Sequence, residues 1–279
     1  MTVILATACA VVYGTADFFG GLATRRSQVL SVVVLSQIAG LALILALLPL
    51  LPGTPSAAAL SWGLTAGLSG AAGLVLFYRA LATGVMSVVA PATAVTSAAL
   101  PVVFGLATGE RPEFWALVGV ALALCAVLLV SQDKSTDRRG SLASVLTALA
   151  AGAGFGGFFI LLSMAPPEAG LWPLVGARMS SITTVALLAL ITRRALRPAP
   201  GSLHIIVAAG VLDMVANVLY LLAQRDGLLS LVAVLVSLYP ASTLLLARQV
   251  LGERLRSIQV TGVACALGAV ALIAVAQHL

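Results

Sequence analysis

The chain has 279 residues, 61% of them apolar and only 9% charged, with a mean hydropathy of +1.14. A soluble domain of that length would lack the polar residues to cover its surface, so the composition excludes an ordinary water-soluble enzyme and points to a protein solvated by lipid. The net charge of +6 is spread over loops between apolar runs and forms no basic face with interleaved aromatics, which argues against a nucleic-acid partner.

Charges, Pro/Gly clusters and polar runs divide the chain into ten predicted spans, at 2–23, 29–51, 57–80, 85–107, 113–131, 141–163, 171–192, 203–224, 228–249 and 257–277. Each is close to the ~20 residues a helix needs to cross ~30 Å of hydrocarbon. The first span carries Tyr13 and Asp17 one turn apart. No basic residue precedes it, and it is too long for a signal-peptide core, so no cleavable leader is expected. The fourth carries Pro91 and Pro101, expected to interrupt it, with Thr93, Thr96 and Ser97 nearby. Gln132–Gly140 is the longest polar stretch. It predicts a linker at 133–140 between a first unit, 1–132, and a second, 141–279.

Beyond the linker, the seventh span holds Arg178, and the eighth holds Asp213, Asn217, Tyr220 and Gln224 along one helical stripe. The ninth holds Ser237, Tyr239, Pro240, Ser242 and Thr243, and Pro240 is expected to interrupt it. Cys9, Cys125 and Cys265 each lie alone in an apolar span, while His204 and His278 sit at span ends. That spacing offers no ligand set, so neither a metal nor another cofactor is expected.

The chain overlaps itself at a shift of 143 residues. Gly109-Glu110-Arg111 falls on Gly252-Glu253-Arg254, Gly67 on Gly210, Gly84 on Gly227 and Gly119 on Gly262. At a shift of 140, Gly14, Phe18 and Phe19 fall on Gly154, Phe158 and Phe159. The expected fold is therefore an all-α integral membrane protein whose ten transmembrane helices form two five-helix repeats. Five is odd, so the second repeat enters the membrane inverted. The basic residues carry the same inversion. Twelve of the fifteen lie in or beside loops that follow odd-numbered spans, against Arg111 and Arg225 after even-numbered ones and Arg178 within a span. The positive-inside rule then puts both termini outside the cell membrane.

Two five-span halves, each with a Gly-Glu-Arg loop after its fourth span and a small-residue-rich fifth span, resemble the EamA-type members of the drug/metabolite transporter superfamily. Pro91 or Pro101, and Pro240, resemble the prolines of the fourth span in that family. The resemblance covers essentially the whole chain and implies a secondary transporter of amino acids, related metabolites or drugs. In one respect the chain departs from the pattern: many relatives carry a basic loop after the second span and cytoplasmic termini, whereas residues 51–56 here are uncharged.

Asp17, Arg178 and Asp213 are the ionisable residues well inside spans, and near a helix centre each costs ~2.5–3.5 kcal/mol on insertion scales. Counted along the helices, Asp213 and Arg178 reach similar depth. They are expected to form an ion pair, leaving Asp17 to couple protons or to bind substrate. The expected substrate site lies between the halves, lined by Tyr13, Asp17, Pro91, Thr96, Asp213, Asn217, Tyr220, Ser237, Tyr239 and Pro240. Glu110 and Glu253 are expected to anchor loops by pairing nearby arginines. Gly119/Ala123 and Gly262/Ala266 are expected to pack closely within the chain or to form a homodimer seam through the fifth and tenth spans.

The function expected is export of a small organic solute by alternating access, with protons as the candidate coupling ion and no P-loop for ATP drive. The competing classes are an intramembrane enzyme and a non-transporting scaffold. The spans hold neither His-Glu-x-x-His nor Gly-x-Ser-x-Gly, which argues against the enzyme.

Overall fold

The computed structural model describes residues 1–24, 26–83, 86–130, 142–193, 196–225, 227–251 and 256–276, and of residues 78, 79, 81–83, 86–91, 130 and 251 the backbone alone. Gly84, the linker, Gly252-Glu253-Arg254 and His278 lie outside the described residues. Every described regular element is helical: α1 (Thr2–Thr24), α2 (Val29–Leu47), α3 (Ala57–Thr83), α4 (Met86–Ala107), α5 (Phe114–Val130), α6 (Leu142–Ser163), α7 (Trp172–Ile191), α8 (Leu203–Arg225), α9 (Leu229–Val236), α10 (Tyr239–Leu251) and α11 (Ser257–Ala276), with one 3-10 turn at Pro167–Ala169. Eight stretches are long and apolar enough to cross a membrane, and Ala92–Ala107 and Phe114–Leu129 are shorter apolar helices. Large side chains such as Ile38 and Leu45 of α2, Val103 of α4, Leu190 of α7 and Leu267 of α11 remain exposed. Lipid solvates such a surface and water does not, so this is a multi-pass membrane protein.

Local chemistry sets several helix ends. The Ser56 hydroxyl accepts from the Ala59 amide at 3.0 Å and caps α3. Pro173 occupies the first turn of α7, where a missing donor costs nothing. Gly109, at φ +99°, ends α4 with the paired bonds Glu110 N to Gly105 O and Gly109 N to Leu106 O, a Schellman turn that a side chain at this position would strain.

The expected ninth span is two helices. Pro240 stands four residues after Val236, the last residue of α9, so its ring opposes that carbonyl and the chain restarts as α10 at Tyr239. The fourth span differs from expectation: α4 runs unbroken through Pro91 and Pro101. The Ser97 carbonyl, which Pro101 cannot bond, lies against Gly156 of α6. A neighbouring helix without a side chain at that point supports the helix through its missing bond.

Packing joins the two ends of the sequence. The main partners are α3 with α6 and α7, α8 with α1 and α2, α4 with α6, α9 and α10 with α1, α5 with α11, α2 with α7, and α4 with α9. Glycines allow the close approaches. A Cβ on Gly67 would collide with the Ala177 carbonyl of α7, and one on Gly210 with the Ser36 carbonyl of α2.

Candidate functional site

In the middle of this apolar bundle, α2, α7 and α8 place three polar side chains in contact. The Arg178 guanidinium forms an ion pair with Asp213 through one nitrogen and donates to the Gln37 side-chain oxygen through another. Arg178 is buried, while the Asp213 side chain is 38% exposed. Asn217 Nδ2 donates to the Asp213 carbonyl at 2.7 Å and to its Oδ2 at 3.3 Å. Gln37 completes the triad and went unrecognised in the sequence. Its signal was a single amide in an otherwise apolar 19-residue helix.

Asp17 is exposed on α1, the helix that packs along α8 with the Cys9 thiol donating to the Ala216 carbonyl, which sets Tyr13 and Asp17 beside the Asp213 segment. An exposed carboxylate in a membrane helix needs water or protein around it, because hydrocarbon offers it no hydrogen bond. The ring of Tyr239 lies 6.4 Å from that of Tyr13. α10 is tied to α1 at this level. Ser242 donates to the Ala10 carbonyl at 3.1 Å and Thr243 to the Gly14 carbonyl at 3.0 Å. Tyr13, Asp17, Tyr239, Asp213, Arg178 and Gln37 therefore form one polar cluster from five helices. It brings together two carboxylates, one guanidinium, one amide and two phenols.

Residues 142–275 match the EamA-like transporter family. Over that stretch, just under half of its length, the chain is EamA-like. A solved crystal structure has the same fold, with a TM-score of 0.81 and 15% identity over 99% of this chain and 98% of that one. No curated protein matches the sequence. That match, to a family of the drug/metabolite transporter superfamily, supports a transporter-type membrane protein whose partners are the bilayer and a small-molecule substrate.

In this EamA-like chain several expected site residues stand outside the cluster. Tyr220 is fully buried: its hydroxyl donates to the Phe159 carbonyl at 3.4 Å and its ring lies 4.5 Å from that of Phe159. Asn217 is 4% exposed. The stripe on α8 thus faces the cluster at Asp213 and turns into helix packing further along, which corrects the expected cavity wall. Thr96 donates to Ala92 O and packs on Gly152 of α6, and Ser237 donates to Val234 O at the break. Pro240 lies with Ala126 and Val127 of α5 and Ala266 of α11, on another side of α10 from Gly14. The side chain of Pro91 lies outside the described residues. A cavity of about 110 Å³ opens elsewhere, lined by Leu162, Ser163, Pro167, Leu221, Gln224 and Arg225.

Two further expectations change. The Glu110 carboxylate accepts from the Leu229 and Ser230 amides at 2.6 and 3.1 Å, so it caps α9 where an arginine was the expected partner. The small residues of α5 and α11 are used inside the chain: a Cβ on Gly119 would strike Ile273, and Ala123, Ala266 and Ala269 are buried. The stripe is closed by this packing and is not free to be a homodimer seam.

Proposed function

We propose that the protein is a secondary transporter that moves a small organic solute, an amino acid, metabolite or drug, out of the cell by alternating access at the Asp17–Asp213–Arg178 cluster. The observation that carries the reading is this cluster, with an exposed carboxylate and a half-exposed ion pair where helices from both ends of the sequence meet. Charged groups are costly at such a depth and are kept where a solute or ion is handled. Asp17, which has no ion-pair partner among the described residues, is the proposed proton-coupling group.

The proposed frame is ten spans in two inverted repeats, 1–132 and 141–279, joined by 133–140, with both termini outside the inner membrane. The helix pairing supports it. Exchange α1 with α6, α2 with α7, α3 with α8, α4 with α9–α10, and α5 with α11, and the main packed pairs named above map onto one another. The Gly67–Ala177 approach becomes Gly210–Ser36, and Gln37 exchanges with Arg178. Two halves that pack on each other through equivalent surfaces can rock about a fixed site between them.

Counterflow in proteoliposomes against a panel of amino acids and cationic drugs tests transport, and Asp17→Asn tests coupling. In the proposed mechanism the variant keeps exchange and loses gradient-driven accumulation. Loss of both assigns Asp17 to binding, and retention of both removes it from the cycle.

A further inference from the structure

We infer that Glu110 is a latch that holds one end of the site shut by clasping the N-terminus of α9; this inference rests on the alternating-access reading above. The latch is built from the sequence upward. Gly109, in the left-handed region, closes the Schellman turn of α4 and puts Glu110 at the third residue beyond the helix. From there the carboxylate reaches across to α9 and takes the first two amides of that helix, one on each oxygen. Those amides have no partner within α9, and the helix dipole favours an anion beside them. Gly105 supplies the room, since a Cβ there would collide with the Glu110 carboxylate.

The two ends of the bundle differ in the way a latch requires. All eight residues of α9 are buried, none more than 6% exposed, and the α1 residues at that end, Thr2, Ala6 and Cys9, are buried with them. At the other end of α1, Asp17 and Gly21 are exposed, and neither Gly20 nor Gly21 has a neighbour within 4 Å of where a Cβ would stand. Along α10, Arg248, Gln249 and Val250 are exposed as well. The end at α9 is packed shut, and the end where α1 runs past α10 is exposed. Opening the closed mouth means moving α9 away from α4 and α1, which requires the carboxylate to release both amides.

The test uses the full chain in nanodiscs with Cys9, Cys125 and Cys265 replaced, and a single cysteine introduced as Val232→Cys in α9 or Gly21→Cys in α1. The readout is the rate of labelling by a charged, water-soluble thiol reagent. Glu110→Ala is expected to speed labelling at position 232 by about tenfold or more, because it removes two charge-assisted hydrogen bonds, each enough to shift the population by about that factor. It is expected to slow labelling at position 21 at the same time, because the two mouths open alternately. Gly105→Ala, which displaces the carboxylate without removing it, is expected to shift both rates in the same directions. Faster labelling at both positions means general loosening and overturns the latch, as do unchanged rates at both. Counterflow in proteoliposomes separates the two proposals. A chain that exchanges solute but keeps its labelling pattern in Glu110→Ala refutes the latch alone; reciprocal labelling without exchange refutes transport alone.

Discussion

Replacing Asp213 and Arg178 singly and together measures what the central ion pair contributes. The structure gives unequal partners, with the Arg178 side chain 10% exposed and that of Asp213 38% exposed. A fully buried pair broken on one side costs about 3–5 kcal/mol, and an exposed pair about 0–1 kcal/mol. This pair lies between those limits, which puts its loss at about 1–3 kcal/mol. The asymmetry decides the order. Asp213→Asn strands a guanidinium that water barely reaches, with Gln37 and a neutral amide as its remaining partners. Arg178→Gln leaves a carboxylate that water and Asn217 already contact. Asp213→Asn is therefore expected to destabilise more than Arg178→Gln, and the double variant less than the sum of the two, by about 1–2 kcal/mol of coupling. Reversible unfolding in mixed micelles measures all four corners of the cycle. Single effects that add to within about 0.5 kcal/mol would refute the reasoning, since contacting residues do not add.

The helix crossings make a second, sharper contrast. Gly67→Ala and Gly210→Ala each force a methyl into a backbone carbonyl of the facing helix, and are expected to cost about 1–3 kcal/mol as overpacking, whereas Gly20→Ala meets nothing and is expected to gain about 0.5–1 kcal/mol of helix propensity. Thermal unfolding in detergent ranks the three, and a Gly67→Ala protein as stable as Gly20→Ala would contradict the packing described. Cysteine in place of Asp17 is expected to react readily with a water-soluble thiol reagent and cysteine in place of Tyr220 hardly at all, because the first is exposed and the second fully buried; equal rates would remove the distinction between cluster and core. A C-terminal alkaline phosphatase fusion is expected to be active and a C-terminal fluorescent fusion dark, as twelve basic residues after odd spans require; the reverse pattern would turn the chain over in the membrane.

Segment by segment, the fold was legible wherever its cause was local. An apolar run of about 20 residues needs only lipid to become a helix, and described helices lie in each predicted segment. Pro240 breaks the ninth segment through its own ring, four residues from Val236, and so announced itself. Pro101 looked the same but does not break α4, because Gly156 of a helix distant in sequence packs against the carbonyl it leaves free. Periodicity likewise put Asp213, Asn217 and Tyr220 on one stripe, yet a helical period names a face and not what lies opposite it. Phe159 of α6 covers the stripe at Tyr220, and water reaches it at Asp213. The same limit applies to the repeat. At the place in the first half that matches Asp213 stands Gly70, covered by the ring of Phe158, and at the place that matches Arg178 stands Gln37. Under the proposed repeat the backbone pairing is shared and the charge is not. Two copies of Asp213 facing two copies of Arg178 would fill the centre with ion pairs and leave no carboxylate wet. With one pair, one amide and one glycine in those four places, Asp213 keeps a face toward water and Asp17, and the chemistry of the site comes from the positions where the two halves have ceased to match.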